Sequence, residues 1–151
     1  MQEHCKCGQR YDLDFRLVDY KKHVSIDNVP VLICPKCEHE EVLPWIKGDL
    51  GSLLRSLPLD EEPYGLDYTE FNELALIMYT IFTCSEADTK DALKAEIQAS
   101  CISRINALLD LYRCAGDAGD RSWMAEIELR LAQFTEKVAV DDGREARFSP
   151  A

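Results

Sequence analysis

The sequence predicts an α+β protein in which a small N-terminal β-hairpin domain precedes a helical bundle of about three helices. Two observations carry this expectation. Residues 1 to 48 contain short runs of alternating apolar and polar side chains, set between two cysteine pairs, Cys5/Cys7 and Cys34/Cys37, that lie 26 residues apart. After residue 66 the apolar side chains recur instead at three- and four-residue steps, the period of helices.

The cysteine pairs set the character of the N-terminal part. A soft tetrahedral ion needs four ligands from two chain reversals, and the layout C-x-C-G…C-P-x-C supplies one pair at each. The pattern reads as a zinc ribbon with Cys5, Cys7, Cys34 and Cys37 as ligands of one Zn²⁺. His4 opens an alternative, because His4-x-x-Cys7-Gly8 forms a second knuckle in which His4 takes the place of Cys5. Four protein ligands leave no open position for water, and a module this small has little apolar surface of its own. The zinc is therefore expected to be structural. His23 and His39 are expected at the surface, either one near enough to the metal to donate to a ligand. The other three cysteines, Cys84, Cys101 and Cys114, are expected to be small core residues.

The hairpin follows from a period of two. Leu13, Phe15 and Leu17 alternate with Asp14 and Arg16, Val24 and Ile26 alternate with Ser25, and Val29 to Ile33 runs into Cys34. Tyr20-Lys21-Lys22-His23 is polar enough to form the tip. Asp27-Asn28 followed by Pro30 suggests an irregularity near an edge strand. Leu50, Leu53, Leu54 and Leu57 predict a short helix within 46 to 57. Pro58 to Gly65, with two prolines, a glycine and three acids, reads as a linker.

The expected organisation is a zinc-ribbon domain at 1–48, a short helix and linker at 49–65, an acidic helical domain at 66–140 and a tail at 141–151. Of the three helices, the first covers about 67 to 83 and is apolar on nearly every side, so it should be buried in the bundle or in an interface. The second covers about 86 to 114, capped by Ser85, with Leu93, Ile97, Cys101, Ile105, Leu108, Leu109 and Tyr112 on one stripe. The third runs from Asp120 to about 138 through Trp123, Ile127, Leu131, Phe134 and Val138. The five-residue loop 116–120 makes the last two an antiparallel hairpin.

At the level of motif, the N-terminal part resembles a known family. The C-x-C-G knuckle, a tyrosine-containing hairpin and Ile26-Asp27-Asn28-Val29-Pro30-Val31 leading into Cys34-Pro35-Lys36-Cys37 resemble the YgiT-type zinc finger of bacteria over residues 1 to 46. The best-known member of that family is the N-terminal domain of the antitoxin MqsA. The resemblance implies a structural zinc on Cys5, Cys7, Cys34 and Cys37 and a domain that contacts a toxin protein. This sequence departs from the family twice. Its first knuckle is one residue short unless His4 is used, and Glu38 stands where the second knuckle normally has glycine, which forces a non-glycine residue into a tight turn.

Charge narrows the partners. The net charge is −11; residues 1 to 48 carry seven Lys/Arg against eight Asp/Glu, and the remainder ten against twenty. A field of that sign repels phosphate backbones. The antitoxin's separate DNA-binding half has no counterpart after residue 64, where no basic recognition helix occurs. Nucleic acid is therefore not the expected partner; the expectation is a protein partner or a homodimer through the helical domain. No apolar run approaches the roughly 20 residues of a membrane helix, and residues 1 to 10 carry no signal-peptide pattern, so the expected setting is a reducing cytoplasm without a membrane.

Enzyme signatures are lacking. No P-loop, nucleophile elbow, G-x-G-x-x-G or H-E-x-x-H occurs, and loop 116–120 is too short for an EF-hand. The expected function is a non-enzymatic, zinc-binding interaction or regulatory module, antitoxin-like in kind. One alternative is a nucleic-acid-binding transcriptional regulator acting through Arg10, Arg16, Lys21, Lys22 and Lys36 of the ribbon. The other is a redox-responsive zinc switch, because the cysteine spacing also resembles the zinc centre of the bacterial redox-regulated holdase chaperone.

Overall fold

The computed structural model describes residues 4 to 134. The chain forms two compact units, Met1–Thr83 and Cys84–Ala151. In the first, β1 (Asp12–Tyr20) and β2 (Val24–Ile33) make the expected hairpin, in register from Asp12 opposite Ile33 to Tyr20 opposite Val24. Lys21 and Lys22 turn the tip with φ of 53° and 54°, and the His23 amide bonds the Tyr20 carbonyl at 3.0 Å. Between Arg16 and Val18 the register slips, so that Asp27 and Asn28 together oppose Leu17. This is a β-bulge, with Asn28 in the left-handed region at φ 58°.

The expected irregularity is therefore present, its extra residue on the central strand β2 and facing β1, the outer strand of the sheet. β3 (Glu40–Val42) pairs antiparallel with Val31–Ile33, and β4 (Tyr64–Asp67) pairs parallel with Val24–Asp27, both on the side of β2 away from β1. Pro30 falls in the gap between those two pairings, where its missing N–H costs no ladder bond. Its carbonyl accepts from the Leu43 amide at 3.0 Å.

β4 also corrects the expected domain boundary. Residues 58–65 are expected to be a linker between the two parts, yet Tyr64 and Gly65 are already strand, and the first unit continues to Thr83. Asp67 then caps a 3-10 turn (Tyr68–Glu70), its Oδ1 accepting from the Thr69 amide at 3.0 Å and the Thr69 hydroxyl at 2.7 Å. Two helices complete the unit. α1 (Pro44–Ser56) matches the short helix expected at 46–57, and α2 (Glu73–Cys84) begins where Asn72 Oδ1 accepts from the Ala75 amide at 2.9 Å. The core gathers Val24, Ile26, Val29 and Val31 of β2, Ile46 and Leu50 of α1, Tyr68, and Leu74 and Met78 of α2. The Tyr68 hydroxyl donates to the Ile46 carbonyl at 3.5 Å.

The expected three-helix bundle is not what forms. Four α-helices occur among the described residues, and α2 belongs with the sheet. Only one face of α2 is buried; Leu76 and Phe82 stay 44% and 42% exposed. The second unit is a helical hairpin of α3 (Lys90–Asp117) and α4 (Arg121–Ala132). The cap of α3 is Thr89, whose side chain accepts from the Ala92 amide at 3.1 Å; Ser85 instead accepts from the Ala87 amide and lies outside the helix. Asp120 caps α4 as expected, through the Trp123 amide at 3.0 Å. Ile97, Cys101, Leu108 and Ala115 of α3 are buried, as are Ile127 and Leu131 of α4 and Phe134 just beyond it, and the Tyr112 hydroxyl donates to Glu128 Oε1 at 2.8 Å. Val138 and the tail lie outside the described residues. Of the three cysteines expected in the core, Cys101 is buried but Cys84 and Cys114 are exposed.

Candidate metal centre

The hairpin register brings the two cysteine pairs together. β1 begins just after the first pair and β2 ends just before the second, so with Asp12 opposite Ile33 the flanking segments must meet. Each pair sits in a turn closed by the same two kinds of backbone hydrogen bond, the second turn one residue longer than the first. In the first, the Gly8 amide bonds the Cys5 carbonyl at 2.9 Å and the Cys5 amide bonds the Gln9 carbonyl at 2.8 Å. In the second, the Glu38 amide bonds the Cys34 carbonyl at 3.0 Å and the Cys34 amide bonds the His39 carbonyl at 2.8 Å. Gly8 and Glu38 hold equivalent places, with φ of 92° and 60°. The doubt that Glu38 raises in the sequence resolves into a left-handed glutamate that keeps the turn's hydrogen bonds.

The sulfurs of Cys5, Cys7, Cys34 and Cys37 all lie within 4.8 Å of one another. Between the knuckles, Cys5 lies 3.4 Å from Cys37 and Cys7 lies 3.4 Å from Cys34. Such distances are far beyond the ~2.05 Å of a disulfide. The range from 3.4 to 4.8 Å includes the ~3.8 Å edge of a tetrahedron built on Zn–S bonds of ~2.3 Å. Four thiols at that spacing could hold one metal ion. His4 is not part of the cluster: it forms an isolated bridge with Arg10 and is exposed.

The surroundings already treat some of these sulfurs as anions. The Cys34 thiol is held down to about 6, chiefly by the Cys37 amide, which points at its sulfur from 3.5 Å, and further by the Lys36 amide. The Cys7 amide lowers Cys5 in the same way. At Cys37 the His39 amide pulls downward, but the neighbouring Cys34 and Cys5 sulfurs outweigh it and push the thiol up to about 12. Cys7 is likewise raised: the Gln9 amide lowers it, and the Cys34 sulfur and burial prevail. Without a cation, the cluster does not tolerate four negative charges at once; a dication would supply the compensation.

Tyr11, which the sequence alone does not single out, is buried beside the site. Burial first, then a hydrogen bond with Cys5 and the charge of Glu41, push its hydroxyl up to about 12. The only prior signal was its position between the first knuckle and the alternating run. His39 stands 6.5 Å from the Tyr11 ring and pairs with Glu41 at 3.5 Å, close to the knuckle as expected. His23 is not near it. Its ring packs edge-on to Tyr64 at 5.9 Å, at the opposite end of the hairpin.

Compared with known proteins, the chain matches no family model, no curated protein and no solved structure. The likeness to the YgiT-type finger thus rests on the motif residues themselves. The helices of the described residues include none long and apolar enough to cross a membrane.

Proposed function

We propose that Cys5, Cys7, Cys34 and Cys37 bind one structural Zn²⁺ and that the chain is a non-enzymatic interaction module, antitoxin-like in its zinc domain. The observation that carries the metal assignment is the convergence of four thiols from two turns of like construction. Zinc is favoured over softer-site competitors because an all-thiolate tetrahedron is the usual form of a closed structural zinc site. Cys5 is favoured over His4 because its sulfur belongs to the cluster. The ion would tie the open ends of β1 and β2 and relieve the charge repulsion among the thiolates.

An interaction role is supported by the acidic second half of the chain and by apolar side chains left in solvent on its helices. Ile102, Leu111 and Leu129 are 47%, 36% and 72% exposed. A protein partner fits these features, and a nucleic acid does not.

Elemental analysis tests the metal. The expected result is about one zinc per chain, removed by chelation with loss of the N-terminal fold and retention of the α3–α4 helices. Cys5→Ser weakens zinc binding and His4→Ala does not. A metal-free chain with its hairpin intact would overturn the assignment, and DNA binding that weakens steeply with salt would overturn the protein-partner reading.

A further inference from the structure

β1 is an edge strand: it pairs with β2 on one side, and among the described residues no strand pairs with the other. Pro30 reveals which of its backbone groups face outward. The Pro30 carbonyl accepts from the Leu43 amide on the side of β2 away from β1, so Pro30 exchanges no hydrogen bonds with its partner Phe15. In an antiparallel ladder Phe15 must then turn its own N–H and C=O to the open edge, and by alternation so do Leu13 and Leu17. Neighbouring side chains occupy the outward groups of Phe15. Its amide donates to Asp14 Oδ1 at 2.8 Å, and its carbonyl accepts from Arg16 Nη1 at 3.5 Å. Asp14 and Arg16 also pair with each other.

The edge is apolar on one face. Leu13, Phe15 and Leu17 share that face by alternation, and the Phe15 ring packs on Tyr79 and Phe82 of α2, each at 5.2 Å between centroids. Leu17 remains 61% exposed and Phe82 42%. A nine-residue open edge with such a row is a surface that proteins ordinarily cover.

We propose that this edge pairs with the same edge of a second copy of the chain, antiparallel and centred on Phe15. In that register Leu13 faces Leu17 of the second copy, Asp14 faces its Arg16, and the two Phe15 residues face each other. Each intrachain Asp14–Arg16 pair is exchanged for an interchain one while Arg16 Nε keeps its pair with Glu40 of its own chain at 3.3 Å, and the outward groups of Phe15, once released, bond their counterparts. Charge favours this register over those centred one residue to either side. Centring on Arg16 would oppose two arginines, and centring on Asp14 two aspartates. The surface lies in the zinc-bearing unit and is independent of the helical domain and of the metal's identity.

Sedimentation equilibrium on the full, metal-loaded chain tests this, with a phosphine reductant present because exposed Cys84 and Cys114 would otherwise cross-link copies. The wild-type chain is expected to show a concentration-dependent dimer below about 200 µM. Asp14→Arg, at a half-buried side chain, and Arg16→Asp, at an exposed one, each weaken it at least about tenfold by opposing like charges. An equimolar mixture of the two variants regains dimerisation as a heterodimer, and the double variant regains it alone. A wild-type chain that stays monomeric overturns the proposal. So does a dimer indifferent to Asp14→Arg, or single variants that do not recover on mixing.

Discussion

Gly8 and Glu38 occupy the same place in two like turns, and exchanging their residue types should move stability in opposite directions. At Gly8 φ is 92°, and a Cβ built there meets nothing within 4 Å. Gly8→Ala therefore carries no steric clash with neighbours and costs only backbone strain, ~1–2 kcal/mol for an L-residue in left-handed territory. The reduced entropy of the unfolded chain returns ~0.5–1 kcal/mol, leaving a net loss of about 1 kcal/mol. Glu38 already bears that strain at φ 60°. Glu38→Gly removes it and incurs the glycine entropy cost, for a net gain of ~0.5–1 kcal/mol. Because metal binding and folding of such a site are coupled, the same energies should appear as a roughly two- to fivefold change in zinc affinity. Chelator competition measures the affinity, and thermal unfolding of the holo chain should shift by about 4–8 °C per kcal/mol for a unit of this size. Were Gly8→Ala neutral and Glu38→Gly destabilising, the backbone account of both knuckles would be refuted.

Two further outcomes are expected. Under native reducing conditions with zinc bound, iodoacetamide should label Cys84 and Cys114 and spare Cys101, which is 1% exposed and whose thiol burial pushes up to about 12; mass spectrometry of digests reads the sites directly. Thr89→Ala should cost α3 about 1 kcal/mol and Ser85→Ala less than about half of that, measured by denaturant unfolding followed by far-UV circular dichroism.

The parts of the molecule that sequence made legible are those whose signals are local. Alternation from Leu13 to Ile33 located both strands, the polar tip located the turn, and Asp120 marked the start of α4. The four sulfurs converge as the cysteine spacing implies, since two strands of nine and ten residues in register leave their flanking turns side by side. What escaped depends on distant partners. β4 is Tyr-Gly-Leu-Asp, a segment of poor strand propensity amid prolines and acids, and it is a strand because β2 offers it an edge some forty residues earlier. Pro30 argued against a central strand, and only the gap between β3 and β4 makes it tolerable there. α2 looked fit for burial on all sides, yet the sheet covers one face of it. For cysteines, residue type favours the interior without saying which ones reach it, as exposed Cys84 and Cys114 illustrate.

The parallel pairing of β4 with β2 also decides where the zinc-bearing part can be cut free. A fragment ending near residue 48 would retain every cysteine of the cluster, the hairpin and β3. It would nevertheless strip the covering from Val24 to Asp27 and leave buried Val24 and Ile26 beside a raw strand margin. The smallest piece with intact sides runs through Asp67, and one that also keeps its helical roof runs to Thr83.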